Sequence, residues 1–312
     1  MSIQTTGITP ATPAVLEQPF TYRGLANASA AAALGSELFV VADDETNVLT
    51  VYRRNHSDPV AKLNLAGVLG TDDDKESDLE GAATMGERTY WISSHRRSAN
   101  GEPPPRRPRF FATELWTESG TRRTALIPVG RPYGGLLGDL LASAALQPYR
   151  LEEAASHAPE AEHGLDIEGL AAGPDGKSLL IGLRNPTPRG MALVIPLLNP
   201  DMVLQGEPAQ FGSVIELDLG GMAVRSMDLV DRAYLTGAGP PGDTGAFALY
   251  HWSGQPEEAP VRLAYDVGTL RPEALFWIPG TRQVQILSDD GSPHSASLPK
   301  AQQEFRSVLM NL

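Results

Sequence analysis

The sequence predicts an all-β fold, a five-bladed β-propeller, and three observations lead there. First, a phrase occurs twice: Asp78-Leu79-Glu80-Gly81-Ala82-Ala83 and Asp166-Ile167-Glu168-Gly169-Leu170-Ala171-Ala172 each lead through a Gly-containing turn into an apolar run, Tyr90-Trp91-Ile92 and Leu179-Leu180-Ile181. Such self-similarity marks a repeat architecture. Degraded copies occur at strand-turn-strand spacing: Asn27-Ala28-Ser29-Ala30 before Leu38-Phe39-Val40-Val41, Val224-Arg225-Ser226-Met227 before Ala233-Tyr234-Leu235, and Arg271-Pro272-Glu273-Ala274 before Val284-Gln285-Ile286-Leu287, which makes five units. Second, 31 Gly and 26 Pro fall between short apolar runs rather than in one block, the punctuation of many turns. Third, strands and helices do not alternate as βαβ units would require, and units of three to four strands fit a propeller better than a sandwich or solenoid.

A chain of 312 residues could hold two average domains, but all-β repeat folds run this long as one piece. One propeller is therefore expected over residues 25–312, with residues 1–24 as an arm that adds an edge strand near Phe20-Thr21-Tyr22 and completes the last blade, removing an open edge. The first unit has expected strands near 26–33, 37–42, 48–53 and 60–66, and the second near 79–84, 88–93, 109–116 and 122–129. Between the second and third strands of unit two runs a loop with Arg96, Arg97, Arg106, Arg107 and Arg109, stiffened by Pro103-Pro104-Pro105. At about 134–160 Leu136, Leu137, Leu140, Leu141, Ala144 and Ala145 recur at helical spacing, a helical insertion between units two and three that either packs one apolar face down or serves as a lid. The third unit runs from Asp166 to Leu217, the fourth from Met222 to Val267, and the fifth from Arg271 to Leu309.

Composition excludes some functions. The formal net charge of −13 opposes a nucleic-acid backbone as partner. No Cys is present, which removes disulfides and thiolate metal sites, and residues 1–15 carry neither a basic start nor a long apolar run, so a cytoplasmic protein without membrane partner is expected.

In a propeller the first strand of each blade lines the axis, so Glu80, Glu168 and Glu273 are expected to face one another. Strand alternation places the second-strand ends Asp43, Asp44, His95, Arg184 and Asp289 at the same mouth. Converging carboxylates need compensation. Either Glu80, Glu168 and Glu273 hold Ca²⁺ or Mg²⁺ through hard oxygen ligands, or Arg184, Arg225 and Arg271 pair with them, or the acids tie blades together through backbone N–H groups. His95, Arg96, Arg97, Arg184, Arg225 and Arg271 are the candidate ligand-binding residues, guanidinium groups being suited to bidentate phosphate or carboxylate. Gly237-Ala238-Gly239-Pro240-Pro241-Gly242 has dinucleotide-fingerprint spacing but lacks amide donors at Pro240-Pro241, and a strand comes next where a helix should start.

Asp166-Ile167-Glu168-Gly169-Leu170 with Gly182-Leu183-Arg184-Asn185-Pro186, and Asp78-Leu79-Glu80-Gly81 with Ser94-His95-Arg96-Arg97, Asn100-Gly101-Glu102 and Arg109-Phe110-Phe111, resemble the bacterial domain-of-unknown-function family 3616 over about residues 25–310. The resemblance implies the propeller and brings no established activity. The phrase is also similar to blade openings of phytase-like propellers, which implies a divalent cation and a phosphate or ester substrate, although the copies at Asn27-Ala28-Ser29 and Val224-Arg225-Ser226 lack the acid. Three functions are therefore expected. They are binding of a small anionic or metal-bridged ligand at the channel mouth; hydrolysis of a phosphoester, lactone or ester by cation-activated water near Glu80 and Glu168; and a non-catalytic platform for a protein partner.

Overall fold

The computed structural model describes residues 14–71, 76–97, 109–118, 124–158, 164–242 and 244–312. Five four-stranded antiparallel sheets stand around one axis. From the axis outward, blade one is Ala30–Leu34, Leu38–Ala42, Val48–Arg53 and Pro59–Asn64, and blade two is Leu79–Met85, Arg88–Ser93, Phe110–Thr117 and Thr124–Tyr133. Blade three is Asp166–Ala172, Leu179–Asn185, Ala192–Leu197 and Ile215–Leu217, and blade four is Ala223–Val230, Ala233–Gly239, Ala248–Trp252 and Val261–Arg262. Blade five takes Pro272–Trp277, Gln283–Ser288 and Glu304–Asn311 from the C-terminal end of the chain and Phe20–Arg23 from near its start. The inner strands contact one another in a closed circle, blade five against blade one included.

Burial explains why the strands stack. The second strands are almost continuously apolar and buried, because both faces of a blade are covered by neighbours. The ring closes through Tyr22, whose ring meets Phe39, Tyr52 and Phe305 at centroid distances of 5.0, 5.3 and 5.3 Å.

The helical insertion is a helix at Leu136–Ala142, a 3₁₀ segment at Ala144–Tyr149 and a turn of helix at Leu151–Ala154. Leu136, Leu140, Leu146, Leu151 and Ala154 are buried in one cluster with Tyr90, Phe110, Ile167 and Leu183, so its apolar face packs onto blades two and three. Among the described residues no helix is long and apolar enough to cross a membrane. The expected interior of the arginine loop, with Pro103–Pro105, Arg106 and Arg107, lies outside the described residues, as do Asp72–Lys75 and residues 1–13 of the arm.

Candidate functional site: carboxylates and arginines at the channel mouth

Four inner strands share a local irregularity. Each skips one residue in pairing with the second strand, namely Glu80, Glu168, Arg225 and Glu273, and in blade three the second strand also skips Arg184. A residue in a β-bulge leaves the ladder, and its side chain is re-aimed. The inner strand of blade one, Ala30–Leu34, pairs without a shift. The glycine after the acid has its own reason. A Cβ on Gly81 would lie 2.6 Å from Ile92 Cγ2, and one on Gly169 would lie 2.6 Å from Val224 Cγ1. The repeated phrase is therefore a bulge that turns an acid to the mouth, followed by the one residue small enough where blades crowd the axis.

Around the mouth acids and guanidinium groups alternate. Arg96 forks onto Asp78 through Nε at 2.9 Å and Nη2 at 2.8 Å, and lies 3.9 Å from both Glu80 and Asp166. Arg184 reaches Glu168 at 3.0 Å and Asp166 at 3.6 Å. Arg225 bridges blades three and five, with Nε 2.5 Å from Glu168 Oε2 and Nη2 on Glu273 Oε1. The proline-containing loop set aside as a dinucleotide site supplies acceptors instead of donors. Pro241 O accepts from Arg184 Nε at 3.0 Å and from Asn185 Nδ2 at 2.9 Å, and Pro240 O accepts from Arg225 Nη1 at 3.3 Å.

The alternation breaks at blade one. Asp43 is held by Lys300 at 3.0 Å, whereas Asp44 faces carboxylates: ligand atoms of Asp44, Asp78 and Glu80 all lie within 4.8 Å of one another. Asp44 Oδ1 is buried and has no hydrogen-bond partner among the described residues. Burial, then the charges of Asp78 and Asp43, push the Asp44 carboxyl up to about 7, with Arg96 opposing. Glu80 is driven well above the ordinary range by burial, Asp78, Glu168 and Asp44. Burial also raises Asp166 to about 7, against the pull of Arg96. Glu168 is raised by burial and drawn back by Arg225 and Arg184.

The expected site residues thus divide. Glu168 and Glu273 share Arg225, while Glu80 groups with Asp44 and Asp78 as the set whose geometry can hold a metal. Arg271 turns to its own blade, with Asp289 Oδ2 at 3.0 Å and Gly291 O at 2.8 Å. Arg97 donates to Ala155 O at 2.6 Å, tying the second strand's end to the helical insertion. His95 is buried, its Nδ1–H donating to Ser93 O at 2.7 Å, and burial lowers it to about 4, so the ring is neutral and closed off from the mouth. Asp78 and Asp166, which hold Arg96 and Arg184, were not among the expected site residues. Their signal was present, since each stands two positions before the glutamate in the repeated phrase.

Below the ring, Glu80, Leu170, Met227, Leu275 and neighbours close the channel to a space of about 10 Å³, at most a single water.

A family model described as "Protein of unknown function (DUF3616)" matches residues 122–284. No curated protein matches the sequence. Among solved structures, Myxococcus xanthus glutaminyl cyclase is similar with TM-score 0.49 and 11% identity over 96% of this chain and 97% of that one. The Cps50 (Swd1) β-propeller domain of Myceliophteria thermophila is similar with TM-score 0.41 and 8% identity over 94% and 99%.

Proposed function

The chain belongs to the DUF3616 family, and from that premise we propose that it is a ligand-binding propeller whose mouth takes a divalent cation at Asp44, Asp78 and Glu80 and, through that cation, a small oxyanion-bearing molecule. The observation that carries this reading is the carboxylate set at the seam of blades one and two, where Arg96 faces three acids and one Asp44 oxygen is buried with no hydrogen-bond partner among the described residues. Arg96, Arg184 and Arg225 already hold carboxylates, so a bare anion would have to displace an acid from each. A cation faces the opposite situation, because it relieves the repulsion that raises Asp44 and Glu80. Three oxygen ligands without nitrogen or sulfur suit Ca²⁺, Mg²⁺ or Mn²⁺, and three protein ligands leave coordination positions for an anionic group of the ligand.

The experiment is thermal unfolding of chelator-treated protein titrated with Ca²⁺, Mg²⁺ and Mn²⁺, because a ligand held only by the native state stabilises it by mass action. A saturable rise in Tm is expected in the parent and not in Asp44→Asn or Glu80→Gln. No rise with any of the three ions would overturn the proposal. Once a responsive ion is found, a panel of phosphoesters, lactones and carboxylesters separates simple binding from hydrolysis.

A further inference from the structure

We infer that the far end of the channel is a second binding site, for a small organic cation. Along each inner strand the chain runs from the mouth through the throat to a cavity of about 450 Å³ at the other end. That volume is within the range of small-molecule sites. It exists because blade one contributes the run Ala30-Ala31-Ala32-Ala33, whose methyl groups leave the axis hollow where larger side chains would fill it.

The wall has one chemical sign. Asp228 and Asp231 line it, and no Lys, Arg or His does among the described residues. The Asp228 carboxylate is fixed in place by the backbone N–H groups of Leu229 at 2.9 Å and Trp277 at 2.8 Å, and burial raises it to about 7 against the pull of those two donors. Trp277, which also lines the cavity, is anchored through Nε1 to Thr281 O at 2.9 Å. A fixed carboxylate in a hollow lined by alanines, Phe276 and Trp277 is an arrangement that receives an alkylammonium: the acid attracts the charge while the methyl and aromatic groups cover its carbon skeleton. The closed throat separates this cavity from the carboxylate mouth, so the inference does not depend on the metal proposal.

The test is calorimetric titration of metal-free protein with choline and with its uncharged shape analogue 3,3-dimethylbutan-1-ol, at constant ionic strength. Saturable choline binding at least about tenfold tighter than the analogue is expected. It should be abolished by Thr84→Trp, which obstructs the cavity from an exposed position, and the charge preference should vanish in Asp228→Asn. Absence of saturable choline binding, equal affinity for the analogue, or binding unchanged in Thr84→Trp would each overturn the inference. If Asp228→Asn does not fold, Thr84→Trp still decides it.

Discussion

Arg225→Ala removes the guanidinium that joins blades three and five, and its cost can be worked from its contacts. The side chain is 6% exposed and bridges Glu168, 4% exposed, and Glu273, 12% exposed. Its guanidinium also donates to Pro240 O and lies 5.6 Å from the centre of the Phe247 ring. Removing one partner of a buried ion pair costs roughly 3–5 kcal/mol, because the other charge is left unpaired in a poorly solvated place. Glu168 keeps Arg184 at 3.0 Å, so the lower half of that range applies. Spread over the unfolding entropy of a chain of this size, such a loss lowers Tm by about 5–6 °C. The dependence on pH has a definite sign. Burial already holds Glu168 above its ordinary range against the pull of Arg225, so without Arg225 it titrates higher still in the folded state and protonating it relieves the native state. The deficit should therefore be full at pH 8 and shrink toward pH 5. Calorimetric Tm values for parent and variant from pH 5 to 8 measure it, and Arg225→Met with Glu273→Gln should recover part of the loss. A deficit under about 1 kcal/mol, the magnitude of a solvent-exposed pair, or one that does not change with pH, would refute the reasoning.

Three further outcomes are expected. In metal-free parent protein, Asp44 and Asp166 are raised to about 7, so their contribution to stability is present in acid and is lost as pH rises toward 7; saturating Ca²⁺ or Mg²⁺ should remove the Asp44 part of that slope in a Tm–pH series and leave the Asp166 part. Gly81→Ala and Gly169→Ala each push a methyl group to 2.6 Å from a buried neighbour and should cost about 1–3 kcal/mol in urea unfolding. Tyr22→Ala takes away the aromatic that closes blade five on blade one and should cost about 3–5 kcal/mol by the same assay, whereas the half-buried Thr21, on the same strand, should tolerate Ser within about 0.5 kcal/mol.

The repeat, and the ring that its period requires, are legible in the order of residues alone. The Asp-x-Glu-Gly phrase, the spacing of apolar runs and the Gly and Pro between them specify five units of short strands, and a ring of such units must bring the residues that open each one to a single mouth. Glu80 and Glu168, 88 positions apart, were therefore readable as neighbours of the axis, as were Arg184 and Arg225. Their partners were settled only by packing. Which carboxylate meets which guanidinium depends on bulges of a single residue and on side-chain contacts within 3.9 Å, and neither has a periodic trace in sequence. Arg271 and Arg225 look alike as arginines near a blade opening, yet Arg225 sits at the bulge and bridges two blades, while Arg271 precedes the strand and folds back on Asp289. Asp44 shows the same limit from the other side. Strand alternation already puts it at the mouth, but that it meets Asp78 and Glu80 rather than an arginine is decided by how blade one packs beside blade two.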